Sequence, residues 1–283
     1  MKFSFASLVT KLTLATSVAG ALVGCDEPTY PTPSPVTVST VGQAQVLVVN
    51  ASPGSQGVTT TLENLPFGTV TPYLGSPVAT YSPVNAGSRL FVFNDPANIP
   101  ATPAAATAAG VAPLTAARPI TARLPFQGGT NYTVFLTDAP TRAYVYPVTG
   151  TSDQGGIRTL SLFDNLSAPA VATNARVRFV NLASTGTYGI YNSLTQAPLF
   201  SAVPLRAYRA VNATVGTTTT TFANFTEVPA ATYTLDVRSV ATTPIAGTQR
   251  GLTFAAGKSY TLYVRGIAGN ATTPLGISVV QHN

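Results

Sequence analysis

The 283-residue chain predicts an all-β protein built as two tandem antiparallel β-sandwiches, and three observations carry that prediction. Composition comes first. With 8% charged residues, 45% hydrophobic ones, and Gly and Pro at 23 each, the chain is too apolar for disorder and too rich in turn residues for a helical bundle. Second, short β-rich runs are divided by turn signals at Ser52-Pro53-Gly54, Asn85-Ala86-Gly87, Gln127-Gly128-Gly129, Asp153-Gln154-Gly155-Gly156 and Ala256-Gly257-Lys258. Third, the chain repeats itself once.

In chain order, the first element is a basic start with an apolar middle, Lys2 to Lys11 and then Leu12 to Val23. It has the shape of a secretory signal and is too short to span a bilayer as a permanent helix. Leu22-Val23-Gly24-Cys25 resembles the lipobox of bacterial lipoproteins, in which a small residue before the cysteine admits signal peptidase and the thiol takes a diacylglycerol. A free or buried cysteine beside a cleaved signal is the competing reading. Cys25 is the sole cysteine, so the chain has no internal disulfide. On this reading residues 1–24 are removed and Cys25 joins the protein to a membrane through more than one acyl chain, as stable anchoring requires.

Residues 25–40 follow as a tether. Pro28, Pro31, Pro33 and Pro35 among Ser, Thr and Tyr favour extended polyproline geometry, which rises about 3.1 Å per residue. Docking of these prolines to a partner is the alternative to a spacer. Asp26 and Glu27, next to the lipid cysteine, resemble the acidic export signal that sends some lipoproteins to the outer face of the outer membrane.

The repeat begins with Ala44-Gln45-Val46-Leu47-Val48-Val49-Asn50, which returns as Ala175-Arg176-Val177-Arg178-Phe179-Val180-Asn181. The run from Phe126 to Leu136 returns as Phe254 to Val264 with its Phe, Gly and Tyr at the same spacing, and Thr159 to Phe163 corresponds to Gly276 to Val280. These limits give one domain over 41–168 and a second over 173–283, with a link short enough for the two to touch. Strands are expected at 45–50, 88–93, 120–124, 131–137, 157–163, 176–181, 231–238, 250–254, 259–265 and 275–281. Pro96 to Ala117 is an alanine-rich insertion, read as a long loop in which 103–109 forms a helical turn or two closed by Gly110. It is the one evident difference on which two copies divide labour.

Leu124 to Tyr132, and again Leu252 to Tyr260, resemble the tyrosine corner of immunoglobulin- and fibronectin-like sandwiches, where a Tyr at a strand start bonds to backbone a few residues upstream. Over nearly the whole mature chain, Ala175 to Ser184, the Gly-x-x-Tyr-Thr hairpins at Gly129 and Gly257, and Leu160 to Leu166 together resemble the domain-of-unknown-function family 4397. That resemblance implies a β-sandwich module found in pairs in secreted and lipidated bacterial proteins, and it brings no shared activity. The first copy departs from the pattern between Gly57 and Gly68, where the sequence is polar.

Chemistry is thin. Loss of Lys2 and Lys11 leaves 13 of the 15 basic residues against 9 acidic ones, and the arginines are scattered singly, which argues against nucleic-acid binding. The sole histidine, His282, is next to last. No calcium loop, phosphate loop or paired-histidine helix is present, so no metal or cofactor is expected. Asn94-Asp95 and Asp164-Asn165 read as turn caps before they read as ion ligands. Among the twelve tyrosines, Tyr132, Tyr233 and Tyr260 read as core or corner residues, and Tyr188 and Tyr191 as the candidates for exposed ligand contact. The expectation is therefore a non-catalytic binding, adhesion or structural module, anchored in the outer membrane through Cys25. It faces the cell surface rather than the periplasm, toward an extracellular protein or polysaccharide. The alternatives are a fimbrial-type assembly subunit or a carbohydrate-active hydrolase using two facing carboxylates.

Overall fold

A computed structural model describes residues 42–76, 80–150, 152–204, 212–215, 218–221, 224–239 and 243–283. The expected signal, the lipobox Leu22 to Cys25, the acid pair Asp26-Glu27 and the tether lie outside the described residues.

The regular structure of the described chain is almost entirely strand, as composition implies. The first copy contributes β1 (Gln43–Asn50), β2 (Thr59–Leu62), β3 (Leu65–Pro66), β4 (Ser82–Asn85), β5 (Gly87–Asn94), β6 (Ile120–Phe126), β7 (Asn131–Thr137) and β8 (Arg158–Asp164). Its sheets have the orders β4-β1-β7-β8 and β3-β2-β5-β6. Between them lies a core of Val46, Val48, Phe91, Phe93, Leu124, Phe126, Val134 and Leu136. The second copy contributes β9 (Asn174–Asn181), β10 (Tyr188–Asn192), β11 (Pro198–Val203), β12 (Asn212–Val215), β13 (Thr218–Thr221), β14 (Thr226–Pro229), β15 (Ala231–Arg238), β16 (Arg250–Phe254), β17 (Ser259–Arg265) and β18 (Gly276–Gln281). Its sheets, β14-β9-β17-β18 and β11-β10-β15-β16, have the same topology, with β12 and β13 added as a separate hairpin. Val177, Phe179, Ile190, Leu235, Phe254 and Leu262 fill its core.

Neither sandwich is wholly antiparallel. β1 runs parallel to β7, and β9 parallel to β17. A parallel pair needs a long crossover, and the intervening strands, most of them in the opposite sheet, supply it, returning the chain to the same end from which it set out.

A third apolar cluster joins the copies. Leu47, Val49, Phe135, Leu160 and Leu162 on the outer face of one sheet meet Val180, Leu182 and Tyr263 on the outer face of the other. β1, β7, β9 and β17 are thus covered on both faces. That is why their sequences read as unbroken apolar runs, Val46 to Val49 above all, where a half-buried strand would alternate. Each fully buried side chain of this size contributes about 1.5–3 kcal/mol.

The pairing also corrects the expected match between the last strands. Tyr132 and Tyr260 are equivalent by their place beside β1 and β9. Tyr132 faces Phe163 and Tyr260 faces Gln281, so β8 corresponds to β18 one residue further on than the sequence alignment had it. A single-residue slip exchanges the two faces of a strand: Leu160 and Leu162 belong to the joint, whereas Ile277 and Val279 point into the core of the second copy.

Both tyrosine corners are built. The Tyr132 hydroxyl accepts the Gln127 N–H at 3.1 Å, and the Tyr260 hydroxyl accepts the Ala255 N–H at 3.1 Å. Tyr132→Phe and Tyr260→Phe should each lower unfolding stability by about 1 kcal/mol without altering the far-ultraviolet spectrum, because each removes one neutral hydrogen bond and keeps the ring.

Candidate functional site

One end of the first sandwich is elaborated. The β5–β6 connection spans 95–119, whereas its counterpart in the second copy, between β15 and β16, spans only 239–249. The β7–β8 connection likewise spans 138–157, whereas its counterpart between β17 and β18 spans only 266–275. Since the second copy completes the same sheets with short connections, the sandwich does not need the extra length. The described chain enters this sandwich from the other end of β1, at Gly42.

The long connections are locked together. Within the first lies α1 (Ala104–Ala108), begun after Pro103 and closed by Gly110 at φ +76°, as the sequence implied. Asn98, only 2% exposed, joins the two loops: its Nδ2 donates to Arg118 O (2.6 Å), its Oδ1 accepts from Ile157 N (2.9 Å), and its carbonyl accepts from Arg118 N (2.9 Å). Ala101 N donates to Thr141 O at 3.2 Å, completing the contact.

Several clefts open on this platform, and two of them adjoin at Arg118. One, of about 410 Å³, is lined by Asn98, Pro100, Arg118, Thr121, Gln154 and Ile157. Its neighbour, of about 320 Å³, is lined by Gly57, Thr59, Asn94, Asp95, Pro96 and Arg118. Arg118 stands in both. Its guanidinium makes one long hydrogen bond, Nη1 to Gln154 Oε1 at 3.4 Å, and no ion pair among the described residues. Asp95 caps its turn as the sequence suggested, with Oδ1 accepting from Ala97 N (2.8 Å) and Gln56 N (3.3 Å). Its Oδ2 is buried without a hydrogen-bond partner among the described residues.

Beside these clefts Asp138 and Asp153 share Arg142 and Arg158. Arg142 reaches Asp138 at 3.3 Å and holds Asp153 through Nη1 (2.9 Å) and Nη2 (2.8 Å), and Arg158 lies 2.9 Å from each carboxylate. Burial pushes the Asp153 carboxyl up, but the Arg142 hydrogen bonds, the Gly155 N–H and both arginine charges outweigh it and hold the group at about 2. The stabilisation this network contributes is therefore present above the usual carboxylate range and lost as pH falls toward 2.

The other concentration of polar chemistry lies at the joint between the copies. Arg178, fully buried on β9, donates Nη2 to Asp164 Oδ1, Nη1 to Phe163 O (2.8 Å) and Nε to Thr261 Oγ1 (2.8 Å). Asp164 Oδ2 also accepts the Thr133 hydroxyl (2.6 Å) and the Tyr81 hydroxyl (2.7 Å). Tyr81 and Thr261 then hold the two ring nitrogens of His282, Nδ1 at 2.7 Å and Nε2 at 2.6 Å. Directions are forced around this ring. Tyr81 donates to a carboxylate and so accepts from Nδ1–H, while Thr261 accepts from Arg178 and so donates to Nε2. Phe225 closes the site, with the Arg178 guanidinium 4.7 Å from its ring centre.

His282 is thus neither frayed nor exposed, contrary to what its place near the end of the chain implied. Burial lowers its pKa, Asp164 opposes and Arg178 assists, leaving it at about 4. The unfolded chain binds this proton near pH 6.5 and the folded one near pH 4, so stability should fall by about 3 kcal/mol as pH drops through that window. Urea midpoints from pH 7 to 4 check this, and His282→Gln should flatten the slope.

Tyr188 and Tyr191 are corrected: they are 5% and 8% exposed and offer no ligand face. β10 is not a surface loop but an inner strand between β11 and β15. Tyr188 enters the second core, and Tyr191 is covered by Arg238, whose guanidinium lies 4.8 Å from its ring centre and pairs with Asp236 at 2.7 Å. Asp95, Asn98, Arg118 and Gln154 were not singled out for binding. The unequal lengths of the two copies' connections are the sequence signal that points to them.

The architecture defines an all-β protein of duplicated sandwich modules with one elaborated loop end. No family model matches the chain, and no curated protein matches it in sequence. Among solved structures, the chain is similar to a "putative cell adhesion protein" from Bacteroides uniformis, at 13% identity over 86% of this chain and 98% of that one, with a TM-score of 0.19.

Proposed function

We propose that this chain is a lipid-anchored, surface-facing envelope protein that acts as a non-catalytic binding module, with the loop end of its first sandwich as the binding face. The observation that carries the reading is the pair of long, mutually clamped connections lining two clefts of mixed apolar and polar character, where the second copy folds with short ones. Binding residues concentrate on loops held by a rigid scaffold, and extra loop length that the fold does not need is where they accumulate. The lipobox at Cys25, the acid pair Asp26-Glu27 and the resemblance to family 4397 support envelope anchoring. The nearest carboxylate pair, Asp138 and Asp153, is ion-paired with two arginines, which favours binding over glycoside hydrolysis.

Two experiments test this. Palmitate labelling in the native host should be lost in Cys25→Ala, and protease added to intact cells should digest the wild type; retained labelling or protection until the outer membrane is broken counts against it. Replacing 99–117 by a short Gly-Ser link should leave the β spectrum intact and abolish retention on a glycan and peptide array. Undiminished retention would remove the loop end from the reading.

A further inference from the structure

From the chemistry of the two clefts we infer that the ligand is an acidic saccharide, a sugar chain carrying carboxylates; this rests on the loop end being the binding face. Arg118 is held at its backbone on both sides by Asn98, yet its side chain projects between the clefts with a single long hydrogen bond. A guanidinium so placed takes a carboxylate bidentately, at little ordering cost because its backbone is already fixed. In the adjoining cleft Asp95 presents the opposite need. It is 2% exposed, its Oδ1 is fixed by two backbone N–H groups, and its Oδ2 accepts nothing.

A buried carboxylate oxygen left without a donor carries a desolvation penalty, which a ligand hydroxyl relieves. An anion alone would satisfy Arg118 and be repelled by Asp95. A neutral sugar would satisfy Asp95 and leave the cation idle. A uronic acid carries both groups on one ring, a carboxylate for Arg118 and hydroxyls for Asp95. Thr121 and Gln154 line the larger cleft with a hydroxyl and a further amide, and Pro100 and Ile157 supply apolar wall for the flat of a sugar ring. Two adjoining clefts of about 410 and 320 Å³ suit successive residues of a chain rather than a monosaccharide.

The test is calorimetric titration of the full-length lipidated protein in detergent with a hexameric oligouronate and with neutral maltohexaose. The expected result is oligouronate binding at least tenfold tighter than maltohexaose, weakening with added salt. Arg118→Gln should abolish that preference, while Asp95→Asn, which keeps an acceptor for the two backbone N–H groups but puts a donor where Oδ2 was, should weaken binding of both sugars. Near-ultraviolet spectra matching the wild type would establish that both variants fold. Equal affinity for the two hexamers, or tight oligouronate binding by Arg118→Gln, would overturn the inference. In that event, array retention that still depends on 99–117 would leave the binding-module reading standing with another ligand, and retention indifferent to that segment would remove both.

Discussion

Arg178→Ala should cost about 3–5 kcal/mol in urea unfolding, the largest effect expected of any single truncation in this chain, because it strands Asp164 in a site closed to solvent. Asp164 is 1% exposed and Arg178 is 0% exposed, and the pair is the hub to which Tyr81, Thr133 and Thr261 are bonded, with His282 held in turn by Tyr81 and Thr261. Removing the cation leaves a buried carboxylate with only two hydroxyl donors. The partner experiment separates the charge from the packing. Arg178→Met with Asp164→Asn removes both charges, keeps a linear side chain and an acceptor for Tyr81 and Thr133, and should fall within about 1–2 kcal/mol of the wild type. A cost below about 1 kcal/mol for Arg178→Ala would mean that solvent reaches the joint. The truncation should also split one unfolding transition into two, since the apolar and polar halves of the joint couple the sandwiches.

Asn98→Ala should act locally and strongly. It leaves Ile157 N–H and Arg118 C=O each without a partner, at about 1–3 kcal/mol per buried group, and it frees the two long connections from each other. The β-sheets do not depend on this clamp, so the global urea midpoint should move little. Amide protection at Arg118 and Ile157 should drop by at least tenfold, and limited proteolysis should cut within 99–117 at concentrations that spare the wild type. Unchanged protection would show that the loops hold without Asn98. Because Arg118 is positioned through the same residue, Asn98→Ala should weaken ligand binding although its own side chain is buried.

Much of the fold was legible because the two strongest signals in a sequence, period and repetition, agree here. Every strand expected from alternation or from an apolar run exists within a residue or two, and both tyrosines at the hairpins make the corner bond their spacing implied. The strands that were missed lack contrast. β2 and β3 are short, with Thr or exposed positions where a core strand would alternate. β10 contains Gly189, required because a Cβ there would lie 2.9 Å from Phe200 O, and its tyrosines read as exposed contacts rather than as strand residues. The face of a tyrosine is decided by which strand lies next to its own, and one sequence does not print that. The proposed binding end was half legible: the insertion stood out, but the value of Asp95 and Arg118 depends on hydrogen bonds they do not make, which emerge only once every other donor and acceptor has been placed.

The joint has a consequence for how these molecules behave beside one another. Register makes Leu47 the counterpart of Arg178, Asp164 of His282, Tyr81 of Phe225 and Phe135 of Tyr263, so the two copies meet through one ancestral face presented twice. Phe135 and Tyr263, which hold the same place in each copy, touch each other, with ring centres 5.5 Å apart. A face that fits its own likeness invites mispairing when many molecules are concentrated together. The divergence of these positions works against it: a pair of first copies lacks the cation that Asp164 needs, and a pair of second copies lacks the acid that Arg178 needs. Each sandwich therefore completes the Arg178–Asp164 pair only with its unlike twin, and the shorter route to that twin lies within the same chain.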